Sequence, residues 1–156
     1  MTTGVGEKII EQLFAGDKAG TAGSAAAMTE QETMFRSTME AAQVGIFVLQ
    51  NQRFKYVNPF LLRMFGYSSE ELLERMGPLD LILPEQHAFV IEQMQLRAAG
   101  VIGHNYELTG LRKDGSTFPI MVLGSPSVIG GLPASVGTVL DISAQKAAEQ
   151  RIRELA

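Results

Sequence analysis

The 156 residues include no cysteine and no tryptophan. Without thiols the chain has no disulfide, no thiolate metal site, no cysteine nucleophile and no cysteinyl cofactor adduct. Positive charge is also short: 13 Lys and Arg face 17 Asp and Glu, for a net charge of −4. That leaves no basic footprint to neutralise phosphates, so no nucleic-acid partner is expected. Long apolar runs are missing too. Nothing approaches the roughly 18 residues of a membrane span, and no membrane partner is expected. The first residues lack the basic region, apolar stretch and small-residue cleavage site of a secretory signal, which makes a cytoplasmic location the simpler expectation. Catalytic groups are sparse. The two histidines, His87 and His104, stand apart, no carboxylates have metal spacing, and Gly130-Gly131 has neither a helix start nor a lysine beside it. Asp80 and Glu85 sit beside prolines and read as solvated turns, so the chain is not expected to be an enzyme.

What is present is a soluble composition, 46% hydrophobic and 19% charged, in a length that suits one domain with accessory ends. Val5, Ile9, Ile10, Leu13 and Phe14 fall near helical spacing, and residues 15–27 are small and glycine-rich, a flexible linker. Thr29 and Glu32 have the spacing of a capping box, so a helix should start there, with Phe35, Met39 and Ala42 on one face. Ile46–Leu49 and Phe54–Val57 are two β-prone runs around the polar Gln50–Arg53, a hairpin. Asn58-Pro59 combines an N-cap with a proline at the first helical position, and Gly66 should end that short helix. Ser68 or Ser69 should cap another around Glu70-Glu71-Leu72. A longer helix is predicted over Pro84–Ala99, stopped by Gly100. Three strands should follow, at Asn105–Arg112, Thr117–Ser125 and Ser135–Asp141, joined by an Asp114-Gly115 turn and a loop over residues 130–133. Ser143 can cap a last helix with Ala148, Ile152 and Leu155 at i, i+4, i+7. The order implies an α+β fold: a five-stranded antiparallel sheet with short helices and one longer helix over one face, flanked by terminal helices. Three parts are expected: residues 1–28 as an amphipathic segment and linker, 29–143 as the folded domain, and 144–156 as the start of a coiled-coil-type helix.

Four stretches together resemble the PAS family. They are AAQVGIFVLQNQRFKYVNPFLLRMFGYSSEELL (residues 41–73), LILPEQ (81–86), LRKDGSTFPIMVLGSPS (111–127) and GTVLDIS (137–143). Each is weak alone, but their order and spacing are specific. Ser143 stands where the family's closing Asp-Ile-Thr signature has threonine. The resemblance implies a sensory domain of a bacterial-type signalling protein, two-component or cyclic-dinucleotide. It also implies that Asp141 pairs with a basic residue near the turn, Arg112 or Lys113, as part of the signal route; the plainer role for Asp141 is to cap the terminal helix.

The family's ligands vary, so residues must decide. Covalent flavin or chromophore attachment through cysteine is excluded. Haem needs an axial donor, and His87, near the start of the long helix, is the candidate; His104 reads as surface. The remaining expectation is a small apolar ligand, or a filled core. The candidate lining is Phe47, Phe60, Phe65, Phe89, Val90, Tyr106, Leu108, Ile120, Val122, Val136, Thr138 and Leu140, of which Tyr106 and Thr138 carry hydroxyls that can orient a ligand. The ends suggest a homodimer, because the apolar stripes of the terminal helices need cover. No output domain precedes Ala156, so the chain reads as a fragment whose last helix leads to one. Three functions therefore stand side by side: a ligand-responsive relay, a haem-based redox or gas sensor, and a ligand-free dimerisation module.

Overall fold

The computed structural model describes residues 29–101 and 105–155. The chain divides into two units, Met1–Gln43 and Val44–Ala156. In the first, helix α1 spans Glu30–Ala41. It begins where local chemistry dictates: the Glu32 backbone N–H donates to the Thr29 hydroxyl at 3.1 Å, and the Thr29 N–H donates to the Glu32 carboxylate at 3.2 Å. The amphipathic segment and linker expected before it, and His104, lie outside the described residues.

The second unit runs β1 (Gly45–Gln50), β2 (Arg53–Val57), α2 (Pro59–Phe65), a π-helical turn (Glu71–Arg75), two 3₁₀ turns (Pro78–Leu81 and Pro84–Gln86), α3 (His87–Ala98), β3 (Tyr106–Leu111), β4 (Thr117–Ile129), β5 (Leu132–Asp141) and α4 (Ser143–Leu155). The strands form the five-stranded antiparallel sheet the sequence predicted, in the order β2-β1-β5-β4-β3. First and last strands are therefore neighbours, which holds both ends of the unit in the middle of the sheet.

Turn chemistry sets the registers. Asn51 and Gln52 have φ of 55° and 63°, the left-handed pair of a two-residue hairpin whose twist matches its strands. Gly130 and Gly131 do the same between β4 and β5, where glycine adopts the geometry freely. That turn is tighter than the four-residue loop expected. Leu132 and Pro133 join β5, and β4 continues through Pro126 to Ile129. The prolines are tolerated because of where they point. Successive strand residues send their N–H and C=O to alternate sides. The Pro119 carbonyl accepts from the Ile142 N–H on the β5 side, so Pro126 turns its missing donor to the opposite side, where, among the described residues, β3 pairs only as far as Val122.

Asn58 joins the sheet to the helical layer. Buried at 5% exposure, its Oδ1 accepts from the N–H groups of Ile46 (2.9 Å) and Leu61 (3.1 Å), and its Nδ2 donates to the Val44 carbonyl (2.9 Å). One side chain thus caps α2 and ties down the start of β1. Behind it the core fills from both layers: Leu61 and Phe65 of α2, Leu72, Leu81 and Val90 pack on Phe47, Leu108, Phe118, Ile120, Val122 and Val139 of the sheet. Each fully buried side chain of this kind contributes roughly 1.5–3 kcal/mol.

Candidate functional site

Between the sheet and α3 lies an apolar cavity of about 50 Å³. Small residues make the room for what surrounds it. A Cβ on Gly110 would come within 2.9 Å of the Phe118 ring, and one on Gly124 within 2.6 Å of an Arg97 guanidinium nitrogen. These inward glycines mark places where a large side chain crosses the sheet face.

Of the expected lining residues, Phe47, Phe65, Val90, Tyr106, Leu108, Ile120 and Val122 face the cavity. Phe60 and Phe89 do not; Phe89 is 41% exposed and meets the Tyr106 ring edge-on at 5.2 Å. Val136, Thr138 and Leu140 are also absent from the lining, and Val139 takes their place. The parity of β5 is opposite to the expectation. Ser135, Gly137 and Val139 point toward α3, because Phe47 crosses β5 at Gly137 and a larger residue there has no space.

The sequence also hid Arg97. It lies in the last turn of α3, where a cation usually reads as solvated, yet it is only 4% exposed and lines the cavity. The signal that could have exposed it was Gly124, in the inward phase of β4 beside Val122.

His87 opens α3 half-buried, with Nε2 2.9 Å from the Ile82 carbonyl oxygen. A carbonyl only accepts, so Nε2 carries the proton and is committed there. The imidazole is outside the cavity lining. The cavity is also far below the roughly 300–1,000 Å³ of an ordinary ligand pocket. The residues present therefore do not fit a haem, and the same volume does not fit a flavin ring. No group of three or more His, Cys, Asp or Glu residues with metal-binding geometry occurs among the described residues.

The turn between β3 and β4 is held from several sides. Arg112 lies over the Phe118 ring at 3.9 Å, donates from Nε to the Met64 carbonyl, and reaches to 4.0 Å from Asp141. Asp141 also accepts from the backbone N–H (2.9 Å) and hydroxyl (2.6 Å) of Ser143, so it touches Arg112 and the start of the terminal helix at once. Lys113 goes elsewhere, to Glu71 at 2.8 Å. Farther along, Lys146 of α4 pairs with Glu107 of β3 at 2.6 Å, which holds the ammonium above its ordinary lysine range.

This arrangement meets known proteins in one place. A family model described as a PAS domain matches residues 33–98. The fold is similar to the PAS domain of a Desulfitobacterium hafniense protein (20% identity, TM-score 0.59, covering 67% of this chain and 98% of that one). The chain has the PAS fold. The PAS fold is shared with a sensory box histidine kinase/response regulator from Burkholderia thailandensis (20% identity, TM-score 0.59, 76% and 92% covered). It is shared too with the N-terminal domain of a diguanylate cyclase with PAS/PAC sensor from Marinobacter aquaeolei (20% identity, TM-score 0.55, 66% and 98% covered). No curated protein matches the sequence. Among the described residues, no helix of the PAS chain is long and apolar enough to cross a membrane.

One PAS-domain ion pair has a measurable signature. The hydrogen bond from Lys113, with help from the Ser68 N–H, lowers the Glu71 pKa from 4.5 to about 2. A folded-state pKa below the unfolded value means the contribution is fully present above about pH 4.5 and lost as the pH falls toward 2. In Lys113→Gln, the Glu71 carboxyl should titrate closer to the ordinary carboxylate range, followed by its side-chain carbonyl carbon resonance. An unchanged titration would show that Lys113 is not what holds it down.

Proposed function

We propose that this PAS domain is a sensory module that dimerises and relays the state of its cavity to an output domain through α4. The observation that carries the reading is the way α4 is attached. It is fastened at its base and bare beyond it. The Lys146–Glu107 pair and the Ile142 N–H to Pro119 bond fix the first turn to β3 and β4. No residue of the helix is buried, and Ile152 and Leu155 are 68% and 88% exposed. A 13-residue helix with an apolar stripe and no packed face is marginal alone. A second copy of the same helix gives that stripe a partner. The reading is of a binding and relay module, not a catalyst, and a cytoplasmic setting goes with it.

Sheet movement can reach α4 through two strands at once, since Asp141 ends β5 and Glu107 lies on β3. A shift in the sheet then biases how two α4 helices pack. Deleting residues from Ala144 onward should move the solution mass by light scattering from dimer toward monomer. An unchanged mass would sink the dimer role of α4. The small cavity favours a second reading, a ligand-free dimerisation module with a filled core. Native mass spectrometry separates the two, because a retained small molecule is compatible only with the first.

A further inference from the structure

Arg97 is a buried cation without a buried anion. Its guanidinium is pressed onto the inner face of β4 at Gly124, and its Nη2 donates to the Tyr106 hydroxyl at 2.7 Å. Its Nε is buried and has no hydrogen-bond partner. No carboxylate lies within ion-pair distance of it among the described residues. Its other close neighbour is the Tyr106 ring, 5.3 Å away, which attracts a cation but accepts no N–H bond at Nε. Charged side chains are almost never buried unpaired, and leaving one so is costly. Both Arg97 and Tyr106 line the cavity.

We infer that the cavity binds a short-chain aliphatic monocarboxylate, with its carboxylate against Arg97 and Tyr106 and its hydrocarbon tail among the core side chains. This rests on the sensory reading and gives its ligand a chemical class. Arg97 supplies one positive charge and an unpaired Nε–H. The Tyr106 hydroxyl already accepts from Arg97, so its own proton is free to donate. Two donors and one charge match the two oxygens and single charge of a carboxylate. A phosphate would bring more charge and more oxygens than these groups satisfy. The rest of the lining is apolar, including Leu61, Ile120 and Val139, and suits a tail, not a second polar head.

Size points to a short chain. One water needs roughly 10–15 Å³, so a cavity of about 50 Å³ takes on the order of three to five water-sized heavy atoms. A longer tail has space to extend beside the cavity. An adjoining groove of about 310 Å³, floored by Ser135, shares Leu49 and Met94 with the cavity. Met94 is unbranched and adaptable, a partition that can move. Ser135, whose hydroxyl is also buried without a partner, lines that groove. The binding end connects to the output as well: Glu107, which holds Lys146 of α4, follows Tyr106 directly in β3.

The test is isothermal titration of the purified chain with butyrate and hexanoate, and with butyramide and hexanamide as neutral isosteres. The carboxylates should bind at least about tenfold more tightly than the amides, the scale of a charge-assisted hydrogen bond. Arg97→Met should abolish that preference, and Tyr106→Phe should reduce it. Arg97→Met should also raise the unfolding midpoint of the ligand-free protein, by about 3 °C, because it removes an unpaired buried charge. A purely structural arginine would instead lower the midpoint when replaced. Equal affinity for carboxylates and amides, no carboxylate binding by the wild-type chain, or undiminished carboxylate binding by a folded Arg97→Met would each overturn the inference. Amide binding without carboxylate preference would leave the sensory reading standing with a neutral ligand. Loss of that reading is decided separately, by the α4 deletion.

Discussion

Gly137→Val is expected to destabilise the PAS domain by more than about 3 kcal/mol and to leave little folded protein at 37 °C. Gly137 sits in the middle of β5, paired with Phe47 on one side and Gly124 on the other. A Cβ there would lie 2.5 Å from the Leu123 carbonyl oxygen and press still closer on the Phe47 ring. The ring could swing away only into the packed core, and the carbonyl belongs to the ladder of the adjacent strand. Neither yields cheaply. Against this, a β-branched residue in place of glycine stabilises by limiting the unfolded chain, but only by about 0.4–1 kcal/mol. The clash wins. Chemical denaturation followed by far-ultraviolet circular dichroism measures the outcome, and a midpoint within error of the wild type would show that Phe47 has room the structure does not display.

The second large effect is expected at Asn58. Asn58→Leu keeps the approximate volume and removes three hydrogen bonds. The Leu61 N–H retains the Asn58 backbone carbonyl at 3.1 Å as an acceptor, but the Ile46 N–H and Val44 carbonyl lose their side-chain partner. Each buried orphan costs about 1–3 kcal/mol and the lost cap about 1 kcal/mol, so a loss of at least about 3 kcal/mol is expected. For a unit of this size the midpoint should fall by roughly 10–15 °C. Asn58→Asp restores the acceptor and should recover the Ile46 and Leu61 bonds while losing the donation to Val44. A ranking with Asp between Asn and Leu follows, and Leu equal to Asn would show that water replaces the side chain.

Asn58 also illustrates what the sequence made legible. Thr29 with Glu32, Asn58-Pro59, Ser68 with Glu71 and Asp114-Gly115 all act through groups within a few residues, so their chemistry is written locally. The order of strands and helices, and with it the PAS resemblance, followed from those signals. Long-range facts were less legible. In β5, Val136, Thr138 and Leu140 are the larger set and the expected lining. The structure turns the smaller set inward because Phe47 and Arg97 reach across from other elements and occupy the space. Arg97 was missed for the same reason. Its charge suggested solvent, and the glycine that receives it is 27 positions away.

Pro126 in the β4–β5 ribbon has a further consequence. Beyond Val122 the outer edge of β4 has no strand partner among the described residues, and Val128 and Leu132 near the tip are 58% and 54% exposed. A long, apolar, unpaired edge is a template on which another chain can add a strand and begin a fibril. Pro126 removes the donor at the centre of that edge, so an incoming strand meets a gap in the ladder where it would need its firmest hold. The ribbon can thus project from the sheet without recruiting its neighbours, and Pro126 acts as a guard against aggregation that leaves the domain's own hydrogen bonds untouched.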